Sequence, residues 1–421
     1  VVRRLVVGVD VTPVERIAAA MGRHPRFAEK IFTDTERRRA GSRPERFATR
    51  WAAKEAVMKL YGEAGLRIPH YRAIEVVNRR GGAPTIRVDG TATEIAVSMT
   101  HDAGLAIAVV AASLEGPGGP PALAPPDGLR LPARPAGGHK GTFGTVVVVA
   151  GAVGTAGAAL LSALGAARAG AGLVRVCVPA GVYPVVAGRC LEVMAHPVGE
   201  AGAAGLDATA VATLRQDHLP VATSVVIGPG LGRARTTEAA LPELLRGLSV
   251  PAVVDADGLN IAAAAGFDWR SCPAPLVLTP HPAEMARLAG LTTREVQADR
   301  AGLAARFAAE RGVTLVLKGA ETVVAAPDGR LHVDRHRTVA LATGGTGDVL
   351  SGVCGAMLAA GLDPFDAAVA AVTVHAEAGC LVEAERGRAG GLAGDVVEML
   401  PTAQERLRRA LERRGGERGR A

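Results

Sequence analysis

The chain has 421 residues and a formal net charge of +7, long enough for two or three hydrophobic cores. Residues 1–112 hold 19 Lys and Arg against 12 Asp and Glu, so the whole charge excess lies in the first part. Few aromatics accompany those basic residues and no RNP, KH or zinc-finger pattern occurs, which sets nucleic acid aside as a partner. Five cysteines, an odd number without CxxC or metal spacing, are expected as reduced thiols of a cytoplasmic protein.

In chain order, residues 5–11 form a strand with Asp10 near its end, and the apolar run is too short for a signal peptide. After Thr12-Pro13 a helix is expected to carry Arg16, Arg23 and Arg26 near one another, followed by Arg37, Arg38, Arg39, Arg43 and Arg46. That cluster is either a solvated basic face or a docking surface for an acidic partner. Residues 45–59 are strongly helical and put Glu55 and Lys59 on one face. Those two are either a surface ion pair or, with Asp10, a site where two carboxylates hold magnesium and the lysine neutralises a pyrophosphate. Val97 to Asp102 ends one strand, including His101, and 105–111 is the next.

Residues 113–138 are too rich in Pro and Gly for a helix or central strand and are expected to be a semi-extended linker between two domains. Beyond it, strands at 145–150, 173–178, 225–227, 253–255, 276–278 and 315–317 alternate with helical patterns. That alternation predicts an α/β fold whose mostly parallel sheet is covered on both faces, with ligands at the carboxyl ends of strands. Gly141 to Ala167 is uncharged, but its glycines divide it into strand, loop and helix rather than a membrane span. The loop 151–157 is not GxGxxG and no GxxxxGK[ST] occurs, so neither a Rossmann dinucleotide site nor a P-loop is expected. Lys318-Gly319-Ala320-Glu321-Thr322 follows a strand and suits nucleotide phosphates. Thr343-Gly344-Gly345-Thr346-Gly347-Asp348 opens a helical run to Ala360, offering backbone N–H groups to an anion and Asp348 as a proton acceptor. The Arg-rich tail 401–421 is expected to be a short helix that frays.

Two independent resemblances sharpen this reading. GVDVTPVERI (8–17), RWAAKEAVMK (50–59) and SMTHD (98–102) resemble the holo-acyl-carrier-protein synthase family of phosphopantetheinyl transferases, an α+β fold spanning residues 1–112. The resemblance implies that Asp10 and Glu55 bind magnesium, Lys59 contacts the coenzyme A pyrophosphate and His101 lies in the coenzyme A site. It implies transfer of 4'-phosphopantetheine to a serine of an acidic apo acyl carrier protein, with Arg16, Arg23 and Arg26 as docking candidates, and a homotrimer through this domain.

GTFG (141–144), GPGLG (228–232), VDADGLN (254–260), TPHPAE (279–284), KGAET (318–322), GGTGD (344–348) and GLAGD (391–395), in that order, resemble the ADP-dependent NAD(P)H-hydrate dehydratases of the ribokinase-like superfamily, over roughly 138–400. This implies phosphorylation of a nicotinamide hydrate by ADP or ATP and loss of phosphate to restore NAD(P)H. Asp348 would be the base. Ala158, Gly230, His281 and Asp348 would line the hydrate pocket, and Lys318, Gly319, Ala320, Glu321, Thr322 and Gly347 would hold the adenine nucleotide. His281 reads equally as a turn histidine braced by two prolines. Because GTGD is shared across the superfamily, an ATP-dependent kinase of a small alcohol is the alternative, as is a degenerate domain serving only binding or oligomerisation. No epimerase domain for the hydrate is expected before residue 138.

Overall fold

The computed structural model describes residues 3–24, 26–64, 66, 68–78, 83–115 and 125–418. It divides into two compact units, residues 1–118 and 119–421.

In the first unit β1 (Arg3–Pro13) pairs antiparallel with β6 (Leu105–Glu115), which pairs antiparallel with β5 (Ala96–Asp102). A second small antiparallel sheet holds β2 (Ile74–Asn78), β3 (Pro84–Val88) and β4 (Thr91–Ala92). The helix Pro44–Glu63 lies against β1, and Gly8 permits its approach: a Cβ there would sit 2.0 Å from the Ala56 carbonyl oxygen. Period-two alternation in β1 buries Val6 and Gly8 and leaves Leu5, Val7, Val9 and Val11 exposed, an apolar row extended by Leu105 and Val109 of β6.

The second unit is one nine-stranded sheet. Its strands are β7 (Thr145–Val149), β8 (Leu173–Pro179), β9 (Met194–Val198), β10 (Ser224–Ile227), β11 (Ala252–Val254), β12 (Leu276–Leu278), β13 (Thr314–Leu317), β14 (Val323–Ala325) and β15 (Leu331–Val333). Their order is β15-β14-β13-β12-β11-β10-β7-β8-β9, parallel from β9 to β13 and antiparallel for the last two. The continuous apolar strand runs serve two cores at once. Val146, Val148, Val226 and Val253 face helices Ala156–Arg168, Thr346–Ala359, Pro364–Arg386 and Ala393–Arg418, whereas Val147, Val149, Ile227 and Val254 face the opposite core. The order reverses between β7 and β10, the switch point where the loops of an open α/β sheet part to make a crevice.

Two expectations are corrected here. The linker is shorter at both ends: β6 runs to Glu115, and Leu129 is buried in the second unit while Arg134 stacks on Phe143 and donates to the Gly170 carbonyl. Residues 116–124 lie outside the described residues. The tail is a continuation of the helix Ala393–Arg418, anchored by buried Leu400, Ala403 and Leu407, because apolar residues at that spacing share one face. Helix Pro364–Arg386, the one described helix long and apolar enough to cross a bilayer, has 83% of its apolar stretch buried inside the unit.

The helix carrying Asp348 is held against Ala156–Arg168 by glycine contacts: a Cβ at Gly352 would meet the Ser162 carbonyl oxygen at 1.9 Å, and one at Gly165 the Val349 carbonyl oxygen at 2.6 Å. Backbone cannot yield as a side chain does, so Gly352→Ala is expected to destabilise the unit by about 1–3 kcal/mol in urea unfolding. Gly394→Ala, in open space on a helix, is the control that should leave stability intact.

Candidate functional site

At the switch point the loops after β7 and β10 interlock. Gly151 N donates to the Pro229 carbonyl at 2.8 Å and Thr155 Oγ1 to the Gly230 carbonyl at 2.7 Å. Gly228 has φ +125°, and a Cβ on it would sit 1.9 Å from the Asp255 carbonyl oxygen. Gly230 has φ +59° and packs so closely on Ala158 that its Cβ would lie 2.8 Å from that of Ala158.

Beside these loops, four carboxylates gather around one ammonium. Lys318, at the end of β13, places Nζ 2.8 Å from Asp255 Oδ1 and 3.9 Å from Glu284 Oε2. Its side chain is 18% exposed, against 1% for Asp255 and 5% for Glu284. Burial opposes the charge on Lys318, but Asp255 and Glu284 outweigh it and hold the lysine pKa above its ordinary value. Asp257 accepts from Gly232 N at 2.9 Å, binding the loop after β10 to this cluster. Asp348 sits in the first turn of Thr346–Ala359, and its pKa is raised to about 7, first by burial and then by Asp255, with Lys318 opposing. Burial likewise raises Glu284. His281 caps Pro282–Ala289: Nδ1 accepts from Ala283 N at 3.1 Å and Glu284 N at 3.3 Å, while Glu284 Oε2 accepts from His281 N at 2.8 Å. The ring stays half-exposed, with its pKa lowered by burial and then by Lys318.

A cavity of about 370 Å³ opens next to Lys318 and is lined by Gly319, Ala320, Thr322, Thr346 and Gly347 together with apolar residues such as Leu341 and Val372. Arg300 fixes its floor by donating to the carbonyls of Leu317 at 2.9 Å, Lys318 at 3.2 Å and Glu321 at 3.0 Å. Glu321 points elsewhere, pairing with Arg337 in a neighbouring open pocket.

In the first unit Lys59 Nζ lies 2.8 Å from Asp10 Oδ1 and donates to the Val9 carbonyl at 3.0 Å. Asp10 Oδ2 accepts from Thr12 Oγ1 at 2.7 Å. Glu55 accepts from the Tyr71 hydroxyl, and Tyr71, its ring stacked on Trp51, is raised above its usual pKa by burial and then by Glu55. Behind Tyr71 is a buried ion pair: Lys54 Nζ is 2.9 Å from Glu36 Oε2 and donates to the Tyr71 carbonyl at 2.8 Å. Burial lowers the Lys54 pKa despite Glu36. Glu55 and Lys59 thus take different partners rather than each other. Arg39, Arg46 and Arg50 line a pocket of about 420 Å³ with Asn78 and Met99. Arg16 and Arg23 are exposed on helix Val14–Arg23, with Arg26 exposed just beyond it, and His101 is exposed on β5.

Residues 146–402 match the family model of the NAD(P)H-hydrate dehydratases. The chain belongs to that family. Residues 6–110 match the 4'-phosphopantetheinyl transferase superfamily. Among relatives, an ADP-dependent (S)-NAD(P)H-hydrate dehydratase of Neisseria meningitidis is 37% identical over 297 residues, 67% of this chain and 94% of the relative. A bifunctional NAD(P)H-hydrate repair enzyme of Moorella thermoacetica is 41% identical over 283 residues, 67% of this chain but 53% of the relative. The chain therefore spans about half the length of the bifunctional relatives it matches. The crystal structure of an ADP/ATP-dependent NAD(P)H-hydrate dehydratase from Bacillus subtilis, co-crystallised with ATP and magnesium, superposes with a TM-score of 0.57 at 32% identity, covering 66% of this chain and 94% of that one. A ribokinase-like superfamily protein of Enterococcus faecalis gives 0.56 at 25% identity, in keeping with a ribokinase-like fold for the larger unit.

Within the dehydratase unit the structure brings Lys318, Gly319, Ala320, Thr322 and Gly347 to one cavity and Ala158 to Gly230. Asp348 and His281 join the carboxylate cluster outside that cavity's lining. Sequence reading marks Asp255 and Asp257 as acids ending a strand without giving them a site role, and passes over Glu284, although TPHPAE contains it, and Arg300, which no motif marks.

A carboxyl whose folded pKa exceeds its unfolded value binds more protons when folded, so stability falls as pH rises through the window between them, here from about 4 to about 7. Asp348→Asn removes that loss. It is expected to raise the thermal midpoint of the dehydratase unit at pH 8, by about 1–3 kcal/mol of stability after solvent screening, and to change little at pH 4, which pH-resolved calorimetry measures.

Proposed function

We propose that the chain carries out two reactions, ADP-dependent dehydration of S-NAD(P)H hydrate in the larger unit and transfer of 4'-phosphopantetheine from coenzyme A to an acidic acyl carrier protein in the smaller. The observation that carries the first is Asp348 with a pKa near neutrality, beside the only ammonium of the cluster among the described residues and at the start of a helix. A group poised near working pH both accepts a proton and does so with useful driving force.

In this reading the adenine nucleotide occupies the cavity at Lys318, Gly319, Ala320, Thr322 and Gly347, and Glu321 braces its rim through Arg337. The hydrate lies against Ala158 and Gly230, with His281 holding the turn. Asp348 takes the hydrate hydroxyl's proton as that oxygen bonds to the terminal phosphorus; with ADP, AMP leaves. The new phosphate ester is then the leaving group that the hydroxyl was not: the C–O bond breaks to release phosphate, the adjacent ring carbon gives up a proton to solvent, and that C–H pair becomes the restored ring double bond. Lys318 and backbone N–H groups of the helix start meet the charge on the transferring group. Relatives described as ADP-dependent hydrate dehydratases favour this over a small-alcohol kinase.

Asp10 and Glu55 suit magnesium in the smaller unit: both are carboxylates, and both are engaged now by groups that can move aside, Lys59 and Tyr71. In the larger unit Asp255 Oδ2 is buried without a partner among the described residues, an oxygen suited to a hard cation. Among the described residues no three His, Cys, Asp or Glu converge as a metal cage, so magnesium fits as an ion arriving with phosphates and keeping waters. When bound it would neutralise phosphate charge. Lys59 would face the coenzyme A pyrophosphate, His101 would border the same ligand, and the Arg39, Arg46 and Arg50 pocket would take a further phosphate. Arg16, Arg23 and Arg26 supply exposed positive charge for the carrier protein. The chain is taken to work in the cytoplasm.

Activity tests are direct. Intact protein is expected to add phosphopantetheine to an apo carrier protein, read by mass, and to recover NADH absorbance from S-NADH hydrate plus ADP. Asp348→Asn should abolish only the second and Glu55→Gln only the first; loss of both in either variant would contradict independent sites. The exposed row Leu5, Val7, Val9 and Val11 supports the trimer implied by the resemblance, since an apolar face of this kind calls for a partner. Val9→Lys is expected to shift the light-scattering mass of the chain from trimer to monomer; a wild-type monomer would overturn the trimer.

A further inference from the structure

Residues lining the cavity assigned to the nucleotide carry three buried side-chain atoms without a hydrogen-bond partner among the described residues: Asp334 Oδ2, His375 Nε2 and, 3.9 Å from Glu377, His336 Nε2; the first two are acceptors not set against another carboxylate. Asp334 follows β15 and is 3% exposed. Its Oδ1 is fully used, accepting from His336 N at 2.8 Å and lying 2.9 Å from His336 Nδ1. Its Oδ2 is buried and has no partner among the described residues. His375, on helix Pro364–Arg386 and 6% exposed, has its ring bonded to the Thr346 carbonyl, leaving Nε2 buried and without a partner among the described residues. Burial pushes its pKa down to about 4, so the ring is neutral. With one nitrogen donating to a carbonyl, the other must be an acceptor. Asp334 and His375 both line the cavity.

A buried acceptor left unmade costs free energy in every state without a donor. Two such acceptors in one cavity therefore call for a ligand that brings N–H or O–H groups there. The surrounding wall is apolar, with Val339, Leu341, Leu350, Val372 and Ala376, which suits the faces of a flat heterocycle better than a sugar. The orientation of Asp334 is itself held. His336 fixes Oδ1, and the His336 ring is 3.9 Å from Glu377, which accepts from Arg406 Nε at 2.7 Å.

Building on the nucleotide site proposed above, we infer that Asp334 and His375 select the base, admitting a 6-amino purine and rejecting a 6-oxo purine. The exocyclic amine of adenine presents two hydrogens to two acceptors. In hypoxanthine the same position is a carbonyl oxygen, which sets acceptor against acceptor and leaves both protein atoms unpaired. Asp334→Asn reverses the logic, because its amide can donate to that oxygen.

The test is calorimetric titration of the full chain with ADP, IDP and 2'-deoxy-ADP. ADP is expected to bind at least about tenfold more tightly than IDP, from the cost of unpaired buried acceptors, with 2'-deoxy-ADP close to ADP. In Asp334→Asn the ADP/IDP ratio should fall at least about fivefold, whereas general damage to the pocket would weaken both nucleotides alike. Equal binding of ADP and IDP by the wild type would overturn base selection and leave the nucleotide site standing. IDP matching ADP while 2'-deoxy-ADP weakens would also overturn it, assigning these acceptors to the sugar. Binding of none of the three would remove the nucleotide site and the inference together. The wild-type comparison decides the matter even if the variant fails to fold.

Discussion

The larger unit depends on a charge imbalance: one ammonium, Lys318, serves Asp255, Glu284 and Asp348 at the tips of a parallel sheet, while a fourth carboxylate, Asp257, adds its charge against Asp348. Lys318 contacts Asp255 directly, so its compensation is spent mainly there. Asp348, in the first turn of its own helix and the weakest of the three carboxylates acting on that cation, keeps the unfavourable share: burial and like charges hold its proton near neutrality. The cluster is therefore less stable than a neutral one would be, and that cost is what holds a carboxyl proton near neutrality, as the proposed base requires.

Such an arrangement requires backbone to come closer than side chains allow. Gly228 and Gly230 let the β10 loop approach Asp255 and Ala158, and Gly352 lets the Asp348 helix lie on the backbone of Ala156–Arg168. The glycines are thus spacing elements for the acid cluster as much as turn formers. Their positions also explain why the strand runs contain so few polar residues: each strand is covered on both faces, and chemistry is displaced to the loops.

Much of this was legible in the chain because phosphate handling leaves local signals. A glycine-rich helix entry, a strand ending in lysine and a strand ending in acids each announce themselves within a few residues, and the parallel sheet follows from their alternation. The cavity wall formed by Asp334, His336 and His375 did not announce itself. Asp334, His336 and His375 come from a loop after an edge strand and from the middle of a buried helix, and Arg300 acts by holding three carbonyls from a helix start. Residues assembled across separate elements have no spacing to read. The same reason explains Glu55 and Lys59: helical spacing made them neighbours, but tertiary packing supplied Tyr71 and Asp10 as better-placed partners. The linker was overextended because Pro and Gly composition says nothing about Leu129 being buried in the hydrophobic core of the larger unit.

In the proposed function the two units would each hold a pyrophosphate-like anion, and they distribute charge in opposite ways. The first carries all the net positive charge of the chain, with exposed arginines and the Arg39, Arg46 and Arg50 pocket. Its long-range field favours encounter with an acidic macromolecule and should weaken with salt. The second has no net charge to spare and relies on a single buried lysine and oriented backbone groups, whose short reach suits small ligands that enter a cavity and is little screened. Salt would accordingly act on the first reaction far more than on the second. That difference follows from where each unit puts its charge, at the surface in one and at the sheet tips in the other.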